Sequence, residues 1–160
     1  MSVQRIEGNR YMSKSMKQCV LALDQGTTSS RAILFDEKGQ PLATKHETFP
    51  QHVRSMEMGS DGGGADQAVV EHDPEDLWRT QIACASLCLS EAGVRPEEVA
   101  AIGITNQRET TILWDQLTGK PVAPAIVWQS RVSAPICERL MGDGLEPEVR
   151  RRTGLLIDPY

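Results

Sequence analysis

Apolar and polar positions fall into blocks along this chain. CVLALD (19–24) and RAILFD (31–36) are dense apolar runs seven residues apart and read as two strands, the first of them buried. EKGQP (37–41) is a turn punctuated by Gly39 and Pro41, and LATKHETF (42–49) alternates weakly, as a third strand nearer an edge would. Three strands on short loops predict an antiparallel meander. QHVRSMEMGSDGGGADQAVV (51–70) has no period and contains three consecutive glycines, so a long, mobile surface loop is expected there.

EHDPEDLWRTQIACASLCLSEAG (71–93) carries the clearest helix. Asp73 is a natural N-cap, Pro74 suits the first turn, Glu75 and Asp76 favour the positive end of the dipole, and Gly93 suits the stop. Trp78, Ile82, Ala85 and Leu89 recur at helical spacing and are expected to form its buried face. VAAIGIT (99–105) is a continuous apolar run, as in the interior of a covered sheet, and TTILWD (110–115) and PAIVW (124–128) read as further strands. VSAPICERLMGDG and EPEVRRRTG read as short helices. Strands, then a helix, then strands make an α/β pattern. GLLIDPY stays apolar to the last residue, so the fold is expected to be incomplete at the C-terminus.

Composition narrows the partners. A chain of 160 residues, 39% apolar and 24% charged, suits one globular domain. The net charge of −5 argues against nucleic acid or an anionic membrane as the main partner, and no apolar run approaches a membrane span. Residues 1–17 are basic without an apolar signal core and read as a disordered leader, with Met12 and Met16 as alternative starts and organelle targeting left open. Cys19, Cys84, Cys88 and Cys137 form no C-x-x-C pair. Cys84 and Cys88, four apart on a helix, suit buried helix positions better than metal ligands, and the cytoplasm is the expected compartment.

The candidate chemistry lies where the first two strands meet, in LDQGTTSSR. Asp24 ends a buried strand, where a carboxylate needs a partner. Gly26 permits a tight turn, and Thr27, Thr28, Ser29 and Ser30 set four hydroxyls beside backbone N–H groups, a combination that suits a phosphate. Asp24 could then hold Mg²⁺, directly or through water, with Arg31 as a fixed positive charge. On residue chemistry alone, an ordinary hydroxyl-rich hairpin turn fits as well. Neither a Walker loop nor G-x-G-x-x-G is present.

LALDQGTTSSRAILFD resembles the first phosphate-binding hairpin of the glycerol kinases, in the sugar-kinase branch of the actin-like ATPases. VEHDPEDLW, AAIGITNQRETTILWD, AIVWQSR and TGLLIDPY resemble the same family in the same order, so the likeness spans residues 18–160 apart from the glycine-rich loop. It implies a ribonuclease H-like lobe: a mixed sheet holding the antiparallel meander, flanked by helices. It also implies that Thr27, Thr28, Ser29 and Arg31 bind the phosphates of ATP, with Asp24 beside Mg²⁺, through water. Arg108 and Glu109 of NQRETT would clasp the hydroxyls of glycerol as a donor fork and an acceptor pair, which requires a turn because adjacent strand side chains diverge. Read without the family, the same pair is an ordinary surface ion pair. Trp128, which composition alone would put in the core, becomes an apolar wall against the glycerol carbons, and Tyr160 a hydrogen-bonding partner.

The implied reaction is ATP-dependent phosphorylation of glycerol to sn-glycerol 3-phosphate. In the family the base is an Asp in a downstream G-D-Q segment, so these residues contain no catalytic base and the chain alone is expected to be inactive. Glycerol, and further copies of the full-length chain in a homo-oligomer, are the expected partners. The GGGADQAVV segment replaces the family's Pro-Gly-Trp run, and Val132 stands where a second arginine is common. Competing readings are a kinase for another polyol or sugar of the branch, such as xylulose or gluconate, and a non-catalytic nucleotide-binding remnant.

Overall fold

The computed structural model describes residues 18–56 and 67–160; the expected leader, 1–17, lies outside them. The first three strands are β1 (Cys19–Gln25), β2 (Ser29–Phe35) and β3 (Pro41–Thr48), paired antiparallel as the meander reading required. The chain then forms β4 (His52–Met56), β5 (Gln67–His72), α1 (Pro74–Ala92) and β6 (Val99–Asn106). It ends in β7 (Ala125–Ile126), α2 (Ala134–Gly142) and α3 (Glu146–Thr153). β6 returns through the α1 crossover to lie parallel to β1, giving a mixed sheet of order β3-β2-β1-β6.

The ends of α1 follow from the sequence. Asp73 accepts the Glu75 N–H at 2.9 Å, and Gly93 adopts φ +61°, which lets its N–H reach Ser90 O and that of Val94 reach Leu89 O. The buried face differs from the expected one. Thr80, Cys84 and Cys88 face the sheet and Leu77 is also buried, whereas Trp78 is 66% exposed and Ile82 is exposed too. Ala85 and Leu89 pack half-buried at the core's margin. Cys84 and Cys88 pack with Ala32, Leu34 and Ala43 in one close-packed cluster, and the large indole lies outside it. The cysteines are buried, as expected.

Three other expectations are corrected. β6 is an edge strand of this sheet, not an interior one: Ile102 and Ile104 are 58% and 76% exposed. A helix about 10 Å wide spans roughly two strands spaced about 4.8 Å apart, and α1 is centred on β2 and β3. Residues 52–56 and 67–70 are not loop. They pair as a β4–β5 hairpin held by a two-bond Arg54–Glu71 ion pair and the buried Val69 and Val70; the residues between lie outside those described. TTILWD forms no strand, only the isolated bridges Thr111–Ile126 and Trp114–Pro121, and PAIVW shortens to the two residues of β7, which joins β5 in a second sheet of order β4-β5-β7. Among the described residues no helix is long and apolar enough to cross a membrane.

Candidate functional site

The β1–β2 turn is closed by the Gly26 N–H donating to Ser29 O at 3.0 Å. A Cβ on Gly26 would lie 3.1 Å from that same oxygen, so the tightness of the turn is what calls for glycine. Strand alternation then sorts the hydroxyls. Ser30 is fully buried, 2.7 Å from Thr80 Oγ1, and donates to Gln25 Oε1 at 3.0 Å. The fourth expected hydroxyl is therefore committed to the core. Thr27 and Ser29 are half-buried and Thr28 is exposed; the N–H groups of Thr27 and Thr28 make no backbone hydrogen bond among the described residues. Asp24 and Arg31 are direct cross-strand partners on the face away from α1. Neither side chain makes an ion pair or hydrogen bond among the described residues. The turn thus offers free donors, one arginine and one carboxylate within a few residues, an arrangement suited to an anion and a hard cation together.

Arg108 and Glu109 occupy the turn that their joint use requires. Glu109 has φ +61°, and no other non-glycine described residue has a positive φ. Both side chains are exposed and make no hydrogen bond or ion pair among the described residues. The turn is tied back to the first hairpin: the Gln107 N–H donates to Gln25 O at 2.7 Å, extending the β1–β6 ladder by one step. On its far side Thr110 Oγ1 donates to Gln107 Oε1 at 3.1 Å and accepts the Trp128 N–H at 3.3 Å.

Trp128 joins the two regions. Its indole N–H donates to Thr27 Oγ1 at 3.0 Å across 101 residues of sequence. Its ring meets Tyr160 edge-on, 5.2 Å between centroids. Tyr160 is held by its own N–H to Asp158 Oδ1, by an Arg131–Asp158 ion pair at 3.3 Å and by the Ser133 hydroxyl donating to Pro159 O. Trp128 is half-buried rather than core. His72 is fully buried, donating from Nδ1 to Pro50 O at 3.2 Å with its ring edge-to-face with Phe49, while Nε2 makes no hydrogen bond among the described residues. Burial pushes its pKa down despite the carbonyls of Pro50 and Thr27, which favour the charged ring.

The structure thus gathers Asp24, Thr27, Thr28, Ser29, Arg31, Trp128 and Tyr160 along one connected path, with Arg108 and Glu109 on the turn that path supports. Thr110, Gln107, Gln25 and Asp158, which make the connections, carry no sequence signal of their own beyond proximity to the motifs. A groove of about 460 Å³ lined by His52, Asp73, Pro74, Val122 and Pro124 includes none of the candidate residues.

Residues 19–160 match the N-terminal domain of the FGGY family of carbohydrate kinases. Over 144 residues the chain is 55% identical to a glycerol kinase of Shewanella amazonensis, covering 90% of this chain and 27% of that protein. Over 141 residues it is 52% identical to glycerol kinase 2 of Thermotoga maritima, covering 88% and 26%. Among solved structures, Plasmodium falciparum glycerol kinase with ADP aligns with a TM-score of 0.69 at 23% identity, covering 90% of this chain and 27% of that one. Gluconate kinase from Lactobacillus acidophilus aligns at 0.68 and 18% identity, covering 89% and 26%. These structural likenesses carry the fold, that of the actin-like ATPases, as the sequence led one to expect. The chain spans only 26–27% of the length of these curated relatives. It belongs to the FGGY family of carbohydrate kinases, whose N-terminal domain its residues 19–160 match.

Proposed function

We propose that this chain is the N-terminal part of a cytoplasmic, homo-oligomeric kinase that transfers the γ-phosphoryl group of ATP to a terminal hydroxyl of glycerol, giving sn-glycerol 3-phosphate. The observation that carries this reading is the Trp128–Thr27 hydrogen bond, which joins the hairpin read as a phosphate site to the indole read as a wall of the polyol site. The relatives named glycerol kinase, at 55% and 52% identity, support the choice of substrate.

In this reading the hydroxyls and free N–H groups of Thr27, Thr28 and Ser29, with Arg31, bind and orient the nucleotide phosphates. Arg108 donates to, and Glu109 accepts from, neighbouring glycerol hydroxyls, while Trp128 shields the carbon chain and Tyr160 adds a hydroxyl contact. Asp24 fits a magnesium site as a hard oxygen ligand that no described side chain neutralises, and no group of three His, Cys, Asp or Glu forms a fuller site among the described residues. A bound Mg²⁺ would offset charge on the phosphates. Phosphoryl transfer also needs a base for the attacking hydroxyl, and none of these residues is assigned that role.

A coupled assay on the natural full-length product, run with glycerol, xylulose and gluconate, tests the reading. Glycerol should give the highest kcat/KM, and the 160-residue chain alone should give no turnover. A preference for another polyol would overturn the substrate, and turnover by the chain alone would overturn its dependence on the rest of the protein.

A further inference from the structure

The contact between Trp128 and Thr27 fixes more than position. An indole N–H can only donate, so in the 3.0 Å bond Thr27 Oγ1 is the acceptor and its own hydrogen must point elsewhere. Among the described residues the Thr27 hydroxyl donates to nothing. The hydrogen is therefore free for a ligand, as are the N–H groups of Thr27 and Thr28, which make no backbone hydrogen bond among the described residues.

The indole is held well enough to impose this. Its backbone N–H donates to Thr110 Oγ1, the preceding Val127 is 1% exposed and donates to Val70 O at 3.0 Å, and the ring is flanked by Tyr160. On the Thr27 side, the turn is held by the Gly26 N–H donating to Ser29 O at 3.0 Å and the Phe49 N–H donating to Thr28 O at 3.4 Å.

We propose that Trp128 is a positioning residue for Thr27: its indole N–H sets the rotamer and polarity of the Thr27 hydroxyl so that the hydroxyl donates to a phosphate oxygen. This rests on the reading of the hairpin as a nucleotide-phosphate site and of Trp128 as the wall of the polyol site. One side chain then serves both ligands, the ring plane facing the polyol carbons and the N–H fixing a phosphate donor. A polyol that immobilises the ring tightens the hydroxyl's aim, and a nucleotide that immobilises the hydroxyl tightens the ring, so the two affinities are coupled and the coupling is reciprocal.

The test replaces the N–H and keeps the wall. In the natural full-length product, W128F retains a flat apolar ring without a donor. The expected result is an ATP affinity, by calorimetric titration without glycerol, weakened about 3- to 10-fold, the scale of one hydrogen bond. In a T27V background W128F should add little, because the hydroxyl it acts through is gone. Benzothienylalanine at position 128, which exchanges the N–H for sulfur at nearly the same volume, gives the same readout should W128F not fold. Unchanged ATP affinity, or effects of W128F and T27V that simply add, would overturn the proposal. If the wild type binds ATP but does not phosphorylate glycerol, the substrate reading fails while the effect of W128F on ATP still decides this one. A wild type that binds no ATP sinks both.

Discussion

Ser29 and Ser30 are neighbours with the same side chain, and they lie on opposite faces of one hairpin. On the α1 face Ser30 is fully buried and shared between Thr80 and Gln25, while the thiols of Cys84 and Cys88 approach Ser30 O and Ala32 O at 3.5 and 3.2 Å. On the other face Asp24 and Arg31 stand opposite one another in register, and neither is paired among the described residues. Burial without partners is costly, and the inner face pairs Ser30 and Thr80 internally, although Gln25 Nε2 on the same face has no partner among the described residues. The outer face keeps charges and hydroxyls unspoken for. The lesson is that residue type does not separate structure from site in this hairpin; the parity of position along the strand does.

The strongest way to break the comparison is to change the outer face. Arg31→Ala and Asp24→Asn, each in the full-length product, should lower kcat/KM about 10²- to 10³-fold, the scale of losing one preorganised electrostatic group. Stability should move by less than about 0.5 kcal/mol, as for unpaired surface positions. Steady-state kinetics beside thermal melts check both halves, and a large loss of stability would show that the outer face has a structural role after all.

The mirror experiment is Thr80→Val, near-isosteric on the inner face. It removes a partner of Ser30 and should cost about 1–3 kcal/mol in urea unfolding, while the folded enzyme keeps its ATP and glycerol constants. Altered constants at unchanged stability would erase the distinction between the faces.

His72 sharpens the comparison with the smallest effect, because it is buried like the inner face but only half paired. Its folded pKa lies below the usual 6.5, so the unfolded chain takes up a proton first on acidification. Stability should therefore begin to fall as pH drops through 6.5 and continue falling until the folded pKa is passed. Glu71 acts lower: its hydrogen bonds from Arg54 hold its pKa below 4.5, so its contribution is present above 4.5 and is lost as pH falls through the folded value. Urea midpoints measured against pH should show His72→Gln flattening the upper window and Glu71→Gln leaving that window as it was.

The meander and α1 were legible because their signals are local: two dense apolar runs around a glycine turn, and Asp73-Pro74 before a long periodic segment closed by Gly93. Which face of α1 is buried was not, because Trp78 and Ile82 carry more hydrophobicity than Cys84 and Cys88, and only the packing of the helix on the sheet reverses that order. The β4–β5 hairpin was hidden for a related reason. It is held by the pairing of β5 with β7, by the cross-strand Arg54–Glu71 pair and by the buried Val69 and Val70, while a glycine-rich stretch separates its two strands in sequence. At the site, the residues that would touch ligands were readable through family resemblance, and Arg108 and Glu109 do lie on the turn that chemistry required. The linking residues were not, since a glutamine or threonine becomes a strut only when the fold brings a partner to it, as with Thr110 between Gln107 and Trp128.

The two thiols under α1 have one more consequence. Burial raises the pKa of both Cys84 and Cys88, and each is sealed between helix and sheet, so neither presents a reactive thiolate while α1 is seated. Alkylation at these positions must wait for the helix to lift. The rate at which a maleimide consumes them is thus a clock for the detachment of α1 from β2, kept by the protein without any added label.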